Sequence, residues 1–348
     1  MAAKRVTSQD VANAAGVSRT TVSLVLNNVL GVQISEDTRK RILDVSQKLG
    51  YVPNAAARAL ASQRSQICGL LLTRRPHHIA SDLFLSQILD GLIEIVRQND
   101  MRLLIDIVEP EHQERTYMDL VRAKRIDGLI FSGPRSDDKA LRDLASDGFP
   151  SVLIGQLPNT NFYSVDVDNR RAAYTAVSYL IQLGHKKIAC ITNAQPTYTA
   201  SLDRLMGYRD ALESMGITYD ERLVRYGDFD LESGFNQMSD LLNGDISPGA
   251  AFIASDIVAL GGMAAIRNKG LRIPEDIALV GFDDLPVASY TSPPLTTIHL
   301  PALELARLAG ETLVQLLQGK KPKQKHVILD TNLVVRQSCG AHASPDII

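Results

Sequence analysis

In this chain of 348 residues, two groups of side chains are typed and spaced for chemistry. The first is Arg19, Thr20, Ser23, Leu24 and Asn27, whose spacing sets them along one side of a short helix. Arginine and short hydroxyl side chains in a first helical turn suit the edges of base pairs. A guanidinium can grip guanine O6 and N7 together, worth about 1–3 kcal/mol of discrimination against another base. By residue type, Arg19 can equally touch phosphate alone. The second group is Arg204, Asp256 and Asp283. Each aspartate follows an apolar run, Phe252-Ile253-Ala254-Ser255 and Leu279-Val280-Gly281-Phe282 respectively. A carboxylate at a strand end can accept two hydroxyl hydrogen bonds, a common way to hold a polyol. The alternatives are local: Asp256 as the cap of a following helix, Asp283 with Asp284 as a turn, Arg204 in an internal ion pair.

The first group needs a frame of short helices. Thr7 stands as an N-cap with Asp10 three residues on, a capping-box pattern. Val11, Ala14 and Ala15 supply an inner face, and Gly16 can take the left-handed conformation that ends a helix. Ser18 caps the next helix, which turns Val22, Val25 and Leu26 inward. Two short helices joined through Gly16-Val17-Ser18 have the spacing of a helix-turn-helix, whose second helix enters a major groove. A third helix starts at Ser35 with Glu36 and Asp37 in its first turn and Lys48 in its last. Its expected inner stripe is Ile42, Leu43, Val45, Ser46 and Leu49, ended by Gly50. Pro53 then blocks continuation, and Asn54 can cap a short alanine-rich helix that is marginal alone. Leu60 projects from it, either as a minor-groove wedge or within an ordinary linker.

Charge follows the same division. Residues 1–64 carry nine Lys and Arg against four acids, a net +5, so the remainder of a chain of net −2 carries −7. A basic module on an acidic body is the footprint expected of a DNA-binding head. The length suits two or three domains. No apolar run approaches membrane length and no leader-like segment opens the sequence, so the expected location is the cytoplasm, with no membrane partner. Cys68, Cys190 and Cys339 are far apart and are expected to be reduced. The pair His77-His78 has no companion ligands, so neither a metal nor another cofactor is expected. No phosphate-binding loop or nucleophile elbow appears, which argues against an enzyme.

From residue 66 onward, short apolar runs alternate with amphipathic helices. Ile67-Cys68-Gly69-Leu70-Leu71-Leu72, Leu103–Val108, Asp127–Ser132 and Ser151–Ile154 read as strands, and the cycle restarts near Lys187-Ile188-Ala189-Cys190-Ile191. Alternation of this kind implies parallel sheets with ligands at the strands' C-terminal ends. The expected fold is an all-α helix-turn-helix head on a two-lobed α/β body of periplasmic-binding-protein-like type. The boundaries expected are 1–52 for the head, 53–65 for the hinge, 66–340 for the body and 341–348 for a tail. Within the body, one lobe takes about 66–165 and 292–324, the other about 166–291 and 325–340. No heptad-patterned extension follows Arg336, so no tetramerising tail is expected.

The run Asp10-Val11-Ala12, Ala15-Gly16-Val17-Ser18, Thr21-Val22-Ser23 and Asn27, followed by Tyr51-Val52-Pro53-Asn54 and Ala57-Arg58-Ala59-Leu60, resembles the LacI/GalR family of lactose, galactose and purine repressors. Further matching phrases are Leu183-Gly184-His185, Arg204-Leu205-Met206-Gly207-Tyr208, Gly270–Asp284 and Pro294-Leu295-Thr296-Thr297-Ile298. The resemblance implies a homodimeric transcriptional repressor on palindromic double-stranded operator DNA. Thr7, Ser18, Arg19, Thr20, Ser23, Leu24, Asn27, Asn54 and Ala57 would meet the DNA, and Leu60 would enter a central minor-groove step. Leu24 departs from the polar base reader often found there. The resemblance also implies an effector between the lobes, a sugar or sugar derivative ahead of a nucleoside or purine. Arg204, Asp256 and Asp283 would bind it, and Phe84 and Phe229 would stack on it. Positive charge in Thr73-Arg74-Arg75-Pro76-His77-His78 leaves room for an acidic sugar.

Overall fold

The computed structural model describes residues 6–27, 31–52, 64–75, 82–109, 113–123 and 125–341. These residues form two compact units that divide at Gln66/Ile67. Asn54, Ala57 and Leu60 of the expected hinge lie outside the described residues, as do His77 and His78.

The N-terminal unit is built from α1 (Ser8–Ala15), α2 (Arg19–Leu26) and α3 (Glu36–Lys48). A complete capping box at Thr7 and Asp10 starts α1, and Gly16 ends it at φ 63°, a conformation glycine adopts without strain. The Ser18 and Ser35 hydroxyls accept the Thr21 and Thr38 amides, satisfying donors that the first turns of α2 and α3 leave unpaired. Val11, Ala12, Ala15, Val22, Val25 and Ile42 close a small core. Two expectations for these helices need correction. Ala12, not Ala14, is the buried partner of Val11. Leu43 and Leu49 are 48% and 38% exposed, because Leu43 is rotated about 100° from Ile42 and Leu49 is already the C-cap.

The second unit holds two six-stranded sheets. In the first lobe the strands are β1 (Ile67–Leu72), β2 (Arg102–Ile107), β3 (Gly128–Ser132), β4 (Ser151–Ile154), β5 (Tyr163–Val167) and β11 (His326–Leu329). Their order is β11-β5-β4-β3-β1-β2 and every pairing is parallel. The second lobe has β6 (Ile188–Thr192), β7 (Val224–Tyr226), β8 (Ala250–Ile253), β9 (Ala278–Asp283), β10 (Thr296–His299) and β12 (Asn332–Val334), in the order β12-β10-β9-β8-β6-β7. Only β12 runs antiparallel in that sheet. Unbroken apolar strands such as β1, β3 and β9 are what sheets covered on both faces require.

The helices include α4 (Leu83–Gln98), α5 (Gln113–Arg122) and α6 (Lys139–Ser146) in the first lobe. In the second lie α7 (Asn169–Gln182), α8 (Thr199–Ser214), α9 (Leu231–Asn243) and α10 (Asp256–Asn268). Helix α11 (Ala302–Leu317) returns to the first lobe, packing on α4 and on the face of β3, β4 and β5.

The lobe boundaries expected from sequence are wrong in three places. Strand β5 belongs whole to the first lobe, so a boundary at 165 cuts it. Thr296–His299, expected in the first lobe, pairs with β9 of the second. His326–Leu329, expected in the second, pairs with β5 of the first. Edge strands are placed by pairing with chain far away in sequence, and local pattern does not report that partner. The chain therefore passes between the lobes three times, after β5, after β10 and after β11.

Candidate functional site

On the N-terminal unit, Arg19, Thr20 and Ser23 are exposed on α2, while Leu24 and Asn27 are half-buried. Asn27 donates to the Ser23 hydroxyl at 3.1 Å, which fixes both side chains at the helix's far end. The Thr7 and Ser18 hydroxyls are occupied by capping. Any role for these two residues toward DNA is carried by the helix N-termini they hold in place, which attract phosphate. The surface thus offers one mobile cation and two hydroxyls at the start of α2, over a core that fixes the helix itself.

On the second unit, a cavity of about 790 Å³ opens among the C-terminal ends of strands from both sheets. Asp283 is the last residue of β9, with φ 115°, and Asp284 follows at φ 55°. Left-handed backbone at two successive aspartates is uncommon and clusters at functional sites. The Asp283 carboxylate lies 3.6 Å from the Arg204 guanidinium, both 8% exposed at the side chain. Arg204 sits one turn into α8, which begins at Thr199. Its Nε donates to Asn169 Oδ1 at 2.9 Å and its Nη1 to the Ala254 carbonyl at 2.7 Å. The ring of Phe282 lies 3.7 Å beneath the guanidinium carbon. Arg204 is thus both an internal ion-pair partner and part of the cavity wall.

Asp256 is placed differently from the expectation. It is fully buried, does not line the cavity and does not cap α10, whose cap is Ser255. Its two oxygens accept from Thr297 Oγ1 at 2.6 Å and from the Leu285 amide at 2.8 Å. Asp256 therefore anchors the turn that carries Asp283 from behind. Gly281 is required beside it, because a Cβ there would collide with the Asp256 carboxylate. Burial, with Asp283 close by, holds the Asp256 carboxyl well above the usual range.

Phe84 and Phe229 both line the cavity and are half-buried. The Phe229 ring, however, is already engaged. Tyr198 meets it edge-on with centroids 5.0 Å apart, and the Arg74 guanidinium lies 4.3 Å from its centre. A ligand that stacks on Phe229 has to share or displace Arg74.

The sequence pattern missed several residues of this wall: Arg74, Asp82, Asp166, Asn169, Asn193 and Tyr198. Asp166 and Asn169 had a usable signal, since they bracket the end of β5 and the start of α7. Burial pushes the Asp166 carboxyl up to about 7 against hydrogen bonds from the Val167 amide and Asn169, and that of Asp283 to about 6 against Arg204. Arg74 is buried and ion-paired to Asp82, so its positive charge is not spare. Arg75, with a side chain 67% exposed, approaches Asp228 at 3.9 Å. The cavity thereby holds the carboxylates of Asp82, Asp166 and Asp283 against two guanidiniums, which removes the basis for an acidic effector.

These two sites have counterparts in known proteins. The family model described as bacterial regulatory proteins, lacI family, matches residues 7–54. A periplasmic binding protein-like domain matches 177–339. The HTH-type transcriptional regulator CelR of Thermobifida fusca is 33% identical over 338 residues, spanning 96% of this chain and 98% of CelR. This chain belongs to the LacI family. A solved CelR–cellobiose complex is 32% identical with TM-score 0.73, covering 96% of this chain and 100% of that one. A lac repressor dimer bound to operator and the anti-inducer ONPF is 31% identical with TM-score 0.83, covering 97% and 99%. As a LacI-family member, the protein is a DNA-binding transcriptional regulator rather than an enzyme. No helix among its described residues is long and apolar enough to cross a membrane.

Proposed function

We propose that this regulator acts in the cytoplasm as a homodimeric repressor whose affinity for a palindromic operator is set by a sugar or sugar derivative in the cleft. The observation that carries the reading is the Arg204–Asp283 pair at the strand ends, buried yet lining a cavity. Such a pair offers N–H donors and carboxylate acceptors in one place, which is what vicinal hydroxyls need. CelR, a relative of similar length, is solved with cellobiose. Arg19, Thr20 and Ser23 on α2 read bases, and Leu60 takes the minor-groove role implied by the family resemblance. Two heads are needed for a two-fold site. The edge strand β2 supports self-association, since Leu104 and Ile105 are 37% and 44% exposed on it. A second copy of the chain would cover them.

Effector binding changes the angle between the lobes and so favours one of two dimer geometries. The test is a mobility shift of the full chain on a palindromic site, titrated with a panel of neutral sugars. A sugar that changes operator affinity is the expected result. A panel in which none does, with nucleosides active instead, would overturn the sugar assignment.

A further inference from the structure

The first lobe brings a charged pair of its own into the cleft. Arg74, two residues beyond β1, and Asp82, which caps α4, are ion-paired and both line the cavity. Arg74 reaches across to the second lobe, where its guanidinium rests on Phe229. It is 7% exposed, and burial pulls its pKa down to about 10, so it stays charged at neutral pH. Its Nε finds no hydrogen-bond acceptor among the described residues. Asn193, 8% exposed on the same cavity, has an Oδ1 with no donor among them.

Buried polar atoms without partners are rare, since each has lost its water without replacement. An unmatched donor and an unmatched acceptor on one cavity call for a group that is both, and a hydroxyl is. A charged ligand fits worse. Asp82 already balances Arg74, Asp283 balances Arg204, and Asp166 adds a third carboxylate. The volume of about 790 Å³ stands in the upper part of the range of roughly 300–1,000 Å³ typical of ligand pockets.

We propose that Arg74 and Asp82 form a second polar subsite, on the lobe facing Arg204 and Asp283, and that the effector is an uncharged glycoside of at least two rings reaching both pairs. The proposal rests on the cleft being the effector site. One ring is held by Arg204 and Asp283 on the second lobe. The next ring's hydroxyls satisfy Arg74 Nε and Asn193 Oδ1 while its face meets Phe84. Asp82 has a structural duty as well, because its Oδ1 accepts the Leu85 amide at 3.0 Å. Serine preserves that cap while removing the second oxygen.

Calorimetric titration of the full chain with cellobiose, maltose, trehalose, glucose and glucuronate tests this. One disaccharide should bind at least about tenfold tighter than glucose. Arg74→Ala should erase that advantage while leaving glucose binding unchanged, and Asp82→Ser should reduce it with the thermal midpoint preserved. Equal losses for glucose and disaccharide, no loss at all, or glucuronate as the tightest ligand would each overturn the second subsite. Asp283→Ala separates this from the underlying reading. If it abolishes sugar binding while Arg74→Ala does nothing, only the second subsite falls. If sugar still binds the Asp283→Ala protein, the cleft assignment itself falls.

Discussion

The two units keep their chemistry in opposite places. The N-terminal unit carries its recognition groups exposed on α2, over a core of six small or medium side chains. The second unit buries Arg204, Asp166 and Asp283 to below 10% exposure and holds them in one network with Asn169. Exposed groups can be exchanged with little effect on folding, whereas buried charges couple recognition to stability. The head is therefore free to change its DNA preference quickly, and the cleft is not. Removing a charge in the cleft changes binding, folding and pH response together.

The sharpest way to break this contrast is Asp283→Ala. Response to the effector should vanish, with sugar affinity falling by more than about 100-fold, while the mobility shift on operator stays within about threefold. A parallel collapse of operator binding would show that the two units are not separable in this way. Arg19→Ala is the matching change on the exposed side. If Arg19 grips a base, operator affinity should drop by about 1–3 kcal/mol with specificity lost at one base pair and the thermal midpoint unmoved. A uniform loss over all sequences, with a salt slope lowered by about one, would make it a phosphate contact instead.

The pH response of stability should belong to the cleft alone. Burial raises the Asp166 carboxyl from its ordinary 3.8 to about 7 and that of Asp283 to about 6. An acid with a raised folded-state pKa binds more protons in the native than in the unfolded state between those values. Its contribution to stability is fully present below 3.8 and is lost as pH rises through about 7. The thermal midpoint of the second unit should therefore carry a falling component over that window, and Asp166→Asn should flatten it. An unchanged slope in the variant would assign the dependence to other groups. The smallest effect is expected from Ser18→Ala. Loss of the α2 cap should destabilise the N-terminal unit by about 1 kcal/mol and leave the midpoint of the second unit in place.

Legibility in the sequence divides along the same line. The helices of the head were readable because their signals are local: Thr7 with Asp10, Gly16, and Ser18 each act within four residues. The apolar strands of the body and the position of Asp283 were readable for the same reason. What stayed hidden depends on strand order. Arg74 and Asp166 meet in one cavity because β1 and β5 belong to the same sheet with β3 and β4 between them, an arrangement that no residue near either one announces. Asp256 looked like a ligand group because it ends a strand. Only the approach of Thr297, 41 residues away, shows where its side chain turns.

The three passages of the chain between the lobes have a consequence for how such proteins diversify. Each lobe is assembled from separate stretches, residues up to Val167 and Ala302–Leu329 for one, the intervening chain and Asn332–Val334 for the other. A single genetic crossover between two relatives therefore cannot exchange one wall of the cleft and keep the other. It transplants pieces of both walls at once. Three junctions, near 168, 300 and 330, are the minimum for a clean lobe chimaera. Isolated substitutions at positions such as Arg74 give lineages of this architecture a shorter path to a new ligand preference than recombination does.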